Sequence, residues 1–214
     1  MFSNPYSAVI RQLLLLSAFC FALQIFRMVC TGTLSYIFLP WNLLLAWVPL
    51  AFATIATRQT SKLKLLMAFI VWLLFFPNSP YIITDLIHLK PRNGWPHWYD
   101  AFLIYSFALA GLLAGIVSTL IIYRKLKEVL PPLLARAVVL GSIFLCGYGI
   151  YMGRFLRWNS WDAITNPFQI LSDTFTHLAH PITYSRTYGI TLLSSILIWL
   201  VFKVFESLMQ QKES

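Results

Sequence analysis

Six long apolar runs divide this chain, and they limit the folds that it can adopt. The runs are Val9–Cys30, Leu34–Thr57, Leu63–Phe76, Trp98–Tyr123, Leu133–Gly153 and Tyr188–Leu208. An α-helix rises about 1.5 Å per residue, so about 20 residues cross the ~30 Å hydrocarbon core of a bilayer. The third run has only 14 residues before Pro77 and must take further length from the residues that follow. We therefore predict one transmembrane domain over residues 1–214, an all-α polytopic bundle of about six transmembrane helices with a broken third span.

Composition excludes a water-soluble fold. Hydrophobic residues make up 59% of the chain and charged residues 11%, whereas a soluble domain carries about 25% charged residues. So few polar residues cannot cover the surface of a soluble fold. The net charge of +9 would suit a nucleic acid if the basic residues formed one patch, but they lie between the apolar runs. We predict the lipid bilayer as the partner and no nucleic acid.

The distribution of basic residues predicts the topology. Ten lie at the chain ends and around two of the connections: Arg11, Arg58, Lys62, Lys64, Arg124, Lys125, Lys127, Arg136, Lys203 and Lys212. Six lie in or near the other connections: Arg27, Lys90, Arg92, Arg154, Arg157 and Arg186. Because cytoplasmic loops carry an excess of Lys and Arg, we predict cytoplasmic N- and C-termini. All the Asp and His residues then fall on the outer side.

Two prolines, Pro77 and Pro80, interrupt the third apolar run. Each lacks a backbone N–H and crowds the preceding turn, and the carbonyl groups that they free need partners in lipid. We predict that Ser79 caps a new short helix with Pro80 at its first position. Asp85 and His88 then share one face, and an acid and an imidazole beside a helix break indicate a functional site. The alternative is an ordinary interfacial bend with both side chains in water.

A second polar motif follows the fifth run, between Gly153 and Asp162. If the helix continues, one stripe on its surface contains Arg154, Arg157, Trp158, Trp161 and Asp162. A guanidinium group binds carboxylate or phosphate with two parallel hydrogen bonds, and Trp favours the headgroup level of a bilayer. The motif therefore indicates an anion site, and the alternative is simple anchoring at the membrane interface.

The long connection after this motif contains a predicted amphipathic helix. Asn166 suits the N-cap, Pro167 the first helical position, and Gln169 completes a capping-box-like pattern. Apolar residues then recur at helical spacing up to Pro181, namely Phe168, Leu171, Phe175 and Leu178. We predict that this helix lies on the outer membrane surface.

Three polar residues of the same helix have a spacing that can gather metal ligands. Asp173, His177 and His180 follow one another at i, i+4 and i+7. The polar face of any amphipathic helix has the same appearance. We predict no metal and no cofactor.

Glycine pairs four residues apart predict two places of close helix packing. They are Gly111 with Gly115 in the fourth run and Gly149 with Gly153 in the fifth. Such spacing lets helix backbones approach closely in lipid.

The two polar motifs resemble a bacterial integral-membrane family catalogued as domain of unknown function 1361. The resemblance rests on Asn78–Tyr81, Thr84–Leu89 and Tyr151–Asp162, together with Trp98-Tyr99-Asp100 at the start of the fourth run. It implies a multi-pass protein of the bacterial plasma membrane. It brings no established activity.

Both motifs are expected at one membrane depth on one side, because the third and fifth spans both run outward. We predict that Asp85 and His88 meet Arg154 and Arg157 across one outward-facing cleft, where pairing relieves the cost of charge in lipid. The candidate catalytic residues are Asp85, His88 and Asp162. The candidate substrate-binding residues are Asn78, Arg154, Arg157, Trp158, Asn159 and Trp161.

Three functions remain open at this point. The first is binding or processing of an anionic headgroup or a lipid-linked substrate at the outer face. The second is transport of a small solute or ion, which the broken third span favours. The third is a non-catalytic accessory subunit whose outer loops dock a partner. The span interiors carry almost no charge, and this slightly favours the surface site over the transporter.

Overall fold

A computed structural model describes residues 6–90 and 94–211. Arg92 and Lys212, which contributed to the predicted topology, lie outside the described residues. Within those residues the α-helices are α1 (Ser7–Thr31), α2 (Phe38–Thr57), α3 (Lys62–Phe75), α4 (Asn78–Tyr81), α5 (His97–Val129), α6 (Pro132–Tyr151), α7 (Asp162–Thr165), α8 (Pro167–Ala179) and α9 (Ser185–Gln211). A 3₁₀ segment, Ile82–His88, follows α4, and a π-helical turn, Met152–Leu156, follows α6.

Six helical segments are long and apolar enough to cross a membrane, which confirms the predicted all-α bundle. They are α1, α2, Lys62–His88, α5, Pro132–Leu156 and α9. α5 is the central helix and packs against α1, α2, α6 and α9. The spans are joined mostly by short connections, which make successive helices antiparallel. We call the end of the bundle that carries the two chain termini the proximal end, and the opposite end the distal end.

The third span changes its helical type where the sequence predicts a break. α3 ends at Phe75, and the chain passes Pro77 with helical backbone angles before α4 and the 3₁₀ segment. The predicted N-cap role of Ser79 is wrong, because Pro77 occupies the cap position and Ser79 lies inside α4. The Ser79 hydroxyl instead donates to the Ala46 carbonyl of α2, 2.9 Å away. The interruption is therefore held by a neighbouring span rather than by a local cap.

The predicted glycine pairs are contact points between spans. A Cβ added at Gly111 would lie 2.6 Å from the Ser79 carbonyl oxygen, and one at Gly115 would lie 2.7 Å from the Ser79 Cβ. A Cβ at Gly149 would lie 2.5 Å from Pro77. Because α5 and α6 both approach the α3–α4 junction at glycines, the junction is held tightly between them.

The predicted continuous stripe beyond the fifth span is wrong. After Tyr151 the helix widens into the π-helical turn and ends at Arg157, whose backbone is left-handed with φ 61°. The backbone N–H of Trp158 then donates to the Met152 carbonyl at 3.2 Å and folds the chain back. Residues before and after Arg157 therefore do not share one helical face.

α8 begins and ends close to the predicted positions, with Asn166 at its N-cap and Pro167 in its first turn. The predicted capping box with Gln169 is not formed, because the Asn166 side chain donates to Thr165 Oγ1 instead. The four apolar residues of the predicted pattern are all exposed, namely Phe168, Leu171, Phe175 and Leu178. This exposure agrees with the predicted position at a membrane surface.

Candidate functional site

Arg154 joins the two polar motifs at the distal end. Its Nη2 atom donates to Asp85 Oδ1, its Nε donates to Thr84 Oγ1 at 2.8 Å, and its Nη1 contacts His88 Nε2 at 2.9 Å. The side chains of Arg154 and Asp85 are only 8% and 1% exposed. The predicted meeting of Asp85 and His88 with Arg154 therefore occurs, in a buried, charge-assisted hydrogen-bond network.

Two further side chains hold this network. Nδ2 of Asn42, in α2, donates to Asp85 Oδ2 at 2.8 Å. The Arg154 guanidinium lies over the Tyr81 ring, 4.4 Å from its centroid, a favourable cation–π arrangement. Sequence reasoning missed Asn42, although an amide inside the second apolar run was a usable signal, since polar residues within spans are rare.

His88 holds a defined tautomer in this network. A guanidinium group only donates hydrogen bonds, so His88 Nε2 accepts from Arg154 and the ring proton lies on Nδ1. The His88 side chain is exposed, whereas Asp85 is buried and uses one oxygen for Arg154 and the other for Asn42. Of these two predicted catalytic candidates, His88 is the one that solvent or a ligand can reach.

Arg157 does not join the Arg154 network. Its side chain is exposed, and among the described residues it forms no ion pair. It precedes Trp158, whose Nε1 donates to Asp173 Oδ2 at 2.9 Å. Arg157 is therefore a solvated cation beside the network rather than a member of it.

Asp162 also lies apart from Arg154. Its Oδ2 accepts from the backbone N–H of Asn159 at 2.7 Å, and its Oδ1 accepts from Thr165 Oγ1 at 3.3 Å. These bonds stabilise the turn that leads into α7, next to the half-exposed Trp161. Asp162, the third predicted catalytic candidate, is therefore not brought together with Asp85 and His88, because its carboxylate faces its own turn.

A cavity of about 460 Å³ lies beside the network. Its walls come from α2 and α3 on one side and α6 on the other, and the chain from Trp158 to Thr174 covers its distal side. The apolar lining includes Trp41, Leu45, Leu73, Leu74, Leu145 and Met152, and the polar lining includes Asn42, Asn78, Tyr148, Asn159, Ser160 and Thr174. Asn78 donates to Ser160 Oγ at 2.8 Å and so ties the third span to the cover.

The polar residues of α8 attach this helix to the bundle. His177 is buried and its Nδ1 lies 3.0 Å from the hydroxyl of Tyr148 in α6, while Asp173 accepts from Trp158. Within residues 6–90 and 94–211 no group of three or more His, Cys, Asp or Glu side chains is arranged to hold a metal ion. Asp173, His177 and His180 therefore do not come together as the helical spacing suggested.

A second buried ion pair lies at the same end of the bundle. Arg27 donates from Nε to Asp100 Oδ1 at 2.6 Å and from Nη2 to Asp100 Oδ2 at 3.1 Å. Arg27 is 1% exposed and its guanidinium lies 4.9 Å from the centroid of the Tyr36 ring. From sequence we assigned Arg27 only a role in topology, because its partner is 73 residues away.

These features define a membrane-embedded protein with six membrane-crossing segments and a buried polar network at the ends of two of them. Residues 41–201 match the family described as a protein of unknown function, DUF1361, and the chain belongs to that family. The matched region begins at the cavity-lining Trp41 and includes Asp85, Arg154 and the whole of α8. No curated protein and no solved structure matches the chain.

Proposed function

We propose that this protein binds the anionic headgroup of a membrane lipid or lipid-linked substrate at its distal end, on the outer face of a bacterial plasma membrane. The observation that carries the proposal is the fixed position of Arg154 beside the polar part of the cavity. Tyr81, which the Arg154 guanidinium contacts, and Gly153, which precedes Arg154, both line the cavity. Asn42 also lines the cavity and donates a hydrogen bond to Asp85. The orientation follows from the excess of basic residues at the proximal end.

In this proposal Arg154 supplies hydrogen-bond donors to the headgroup, and Arg157 supplies positive charge. A guanidinium group has five N–H donors, and Arg154 uses three of them on Asp85, Thr84 and His88. Two donors remain for an anionic oxygen, but Asp85 neutralises the charge of Arg154. Arg157 can supply positive charge, because it is exposed next to the cavity-lining Trp158.

The roles of the candidate residues follow from their contacts. Asp85 positions Arg154, since both of its oxygens are occupied. Asn78, Trp158 and Asn159 contribute polar atoms and an indole to the cavity lining. His88 is the exposed member of the network, and its Nδ1–H can donate a hydrogen bond to a bound ligand while its Nε2 accepts from Arg154.

The transporter alternative is supported less well. Transporters place ionisable residues near the middle of the bilayer on several spans. Here Asp85 and Arg154 lie three and two residues from the distal ends of their helical segments, and Arg27 lies four residues from the end of α1. Charges at this depth favour a ligand at the headgroup level.

Lipid retention tests the proposal directly. The protein would be incorporated into bilayer discs with equal amounts of phosphatidylglycerol and phosphatidylcholine, then examined by native mass spectrometry. We expect retained phosphatidylglycerol in excess over phosphatidylcholine, and loss of that excess in Arg157→Ala. Arg58→Ala is the matched control, because it removes an exposed arginine from the proximal end. Equal retention of the two lipids by the unaltered protein would refute headgroup recognition.

A further inference from the structure

The cavity extends to a depth that a headgroup does not reach. Leu145 and Met152, both in its lining, are seven residues apart along the fifth-span segment, which corresponds to about 10 Å along the helix. Leu73 and Tyr81 give a similar extent on the opposite wall. The cavity therefore begins beside the polar network and continues toward the interior of the bilayer.

The lining changes character along this depth. Asn159, Ser160 and Thr174 lie on the distal cover, whereas Leu73, Leu74 and Leu145 lie on the span helices. A cavity that is polar at one end and apolar at the other suits a ligand with the same division. A lipid has this division, with its headgroup at the interface and its chain in the hydrocarbon.

The cavity opens toward the membrane rather than only toward water. Trp41 and Leu145 line it and are 56% and 51% exposed. They lie on membrane-crossing segments, one on each side of the cavity, where an exposed apolar side chain faces lipid. A hydrocarbon chain can therefore enter sideways, without leaving the bilayer.

We infer that the cavity holds one hydrocarbon chain of an anionic membrane lipid, which enters between α2–α3 and α6 while its headgroup lies at the polar end. This inference rests on the proposed headgroup site and adds to it a site for the hydrocarbon chain of the same lipid. The volume of about 460 Å³ falls within the roughly 300–1,000 Å³ of ligand pockets. Gly149 contacts Pro77 behind this space, which closes the cavity on the side of the protein core.

A photoreactive lipid tests the inference in the full-length protein. Phosphatidylglycerol with a diazirine in one acyl chain would be mixed into phosphatidylcholine vesicles that contain the protein, and the cross-linked peptides would be mapped. We expect labelling of the Leu73–Leu74 and Leu145–Met152 peptides several-fold above that of Leu193 in α9, a side chain that is 71% exposed outside the cavity. Labelling no stronger than at Leu193 would overturn the inference.

Filling the cavity separates specific insertion from general contact with lipid. Leu145→Trp should reduce labelling of the Leu73–Leu74 peptide several-fold. Leu140→Trp is the matched control, since Leu140 is an exposed residue of α6 outside the cavity lining, and it should leave labelling unchanged. Leu74→Trp fills the space from the opposite wall and should reduce labelling of Leu145–Met152. Labelling unaffected by both cavity substitutions would overturn the inference.

A comparison of two lipid headgroups tests the headgroup site and the hydrocarbon-chain site separately. Phosphatidylcholine with the same diazirine chain would be compared with the phosphatidylglycerol probe. Equal cavity labelling by the two lipids would refute anionic headgroup recognition but support the chain site. Preferential retention of phosphatidylglycerol without cavity labelling would support the headgroup site and refute the chain site.

Discussion

The guanidinium group of Arg154 donates to the carboxylate of Asp85 and so joins two spans at residues 69 positions apart in sequence. Both side chains are buried, and neither charge would be tolerated there alone. Asn42 binds the second carboxylate oxygen and adds α2 to the same network. One ion pair therefore fixes three spans relative to one another at the edge of the cavity.

Removal of one charge from this pair should destabilise the protein strongly. In Asp85→Asn the Arg154 charge remains buried without a counter-ion, and we expect a loss of about 3–5 kcal/mol, seen as a lower unfolding temperature in detergent. Lys125→Ala serves as a comparison, because the Glu128 partner is 63% exposed, and such surface pairs contribute about 1 kcal/mol or less.

A double variant distinguishes pairing from independent effects. Asp85→Asn combined with Arg154→Gln removes both charges, so the combined loss should be smaller than the sum of the two single losses. Strict additivity would show that the two side chains do not depend on each other.

The extent of the spans could be predicted from sequence because the bilayer imposes it. A span needs an apolar run of sufficient length, and such runs can be read directly from residue types. The contact of Asp85 with Arg154 followed from the same argument, since both motifs end spans at one depth. The partners of Asn42 and Thr84 could not be predicted, because they depend on how each helix is rotated about its own axis.

The region after Gly153 was predicted less well because tertiary contacts decide its backbone. A helical pattern continues in the sequence, but the Met152 carbonyl accepts from Trp158 and Arg157 adopts a left-handed conformation. The cavity depends on this reversal, which returns Trp158 and Asn159 over the space beside α6. No local pattern encodes a space that is formed by segments distant in sequence.

The second ion pair should depend on the shape of the arginine side chain. Arg27 makes two hydrogen bonds to Asp100, and Lys cannot reproduce this parallel geometry. We expect Arg27→Lys to lower stability by about 2 kcal/mol, the contribution of a hydrogen bond to a charged group, in the same thermal measurement. Arg11→Lys makes the same replacement at an exposed position of α1 and should change the unfolding temperature little. Equal effects would contradict a specific role for the bidentate pair.

The contact between Gly111 and Ser79 should not tolerate a methyl group. Because the added Cβ would meet a backbone carbonyl at 2.6 Å, Gly111→Ala must push α5 away from the third span, at a cost of about 1–3 kcal/mol. Gly141→Ala is the control, since a Cβ there meets nothing within 4 Å. That substitution should be neutral or stabilise α6 by up to about 1 kcal/mol. A stable Gly111→Ala protein would show that the α5 contact can relax.

α8 should lie in the membrane interface with its apolar face in lipid. Phe175 is 67% exposed, and the adjacent Thr176 is also exposed but polar. In a Cys30→Ser background, which removes the exposed native thiol, a charged maleimide should label Thr176→Cys in vesicles much faster than Phe175→Cys. The difference in labelling rate should shrink after the protein is unfolded in denaturant, where both thiols are exposed to water. Equal labelling rates in vesicles would place the apolar face of α8 in water.

The same labelling on intact cells tests which end of the bundle faces outward. Thr176 belongs to the distal end, whereas Thr60 lies in the short connection between α2 and α3 at the proximal end, and both side chains are exposed. The excess of Lys and Arg at the proximal end predicts that this end is cytoplasmic. A membrane-impermeant maleimide should therefore label Thr176→Cys on intact cells and label Thr60→Cys only after the cells are lysed. The reverse pattern would place the Arg154 network on the cytoplasmic side, and any headgroup bound there would belong to the inner leaflet.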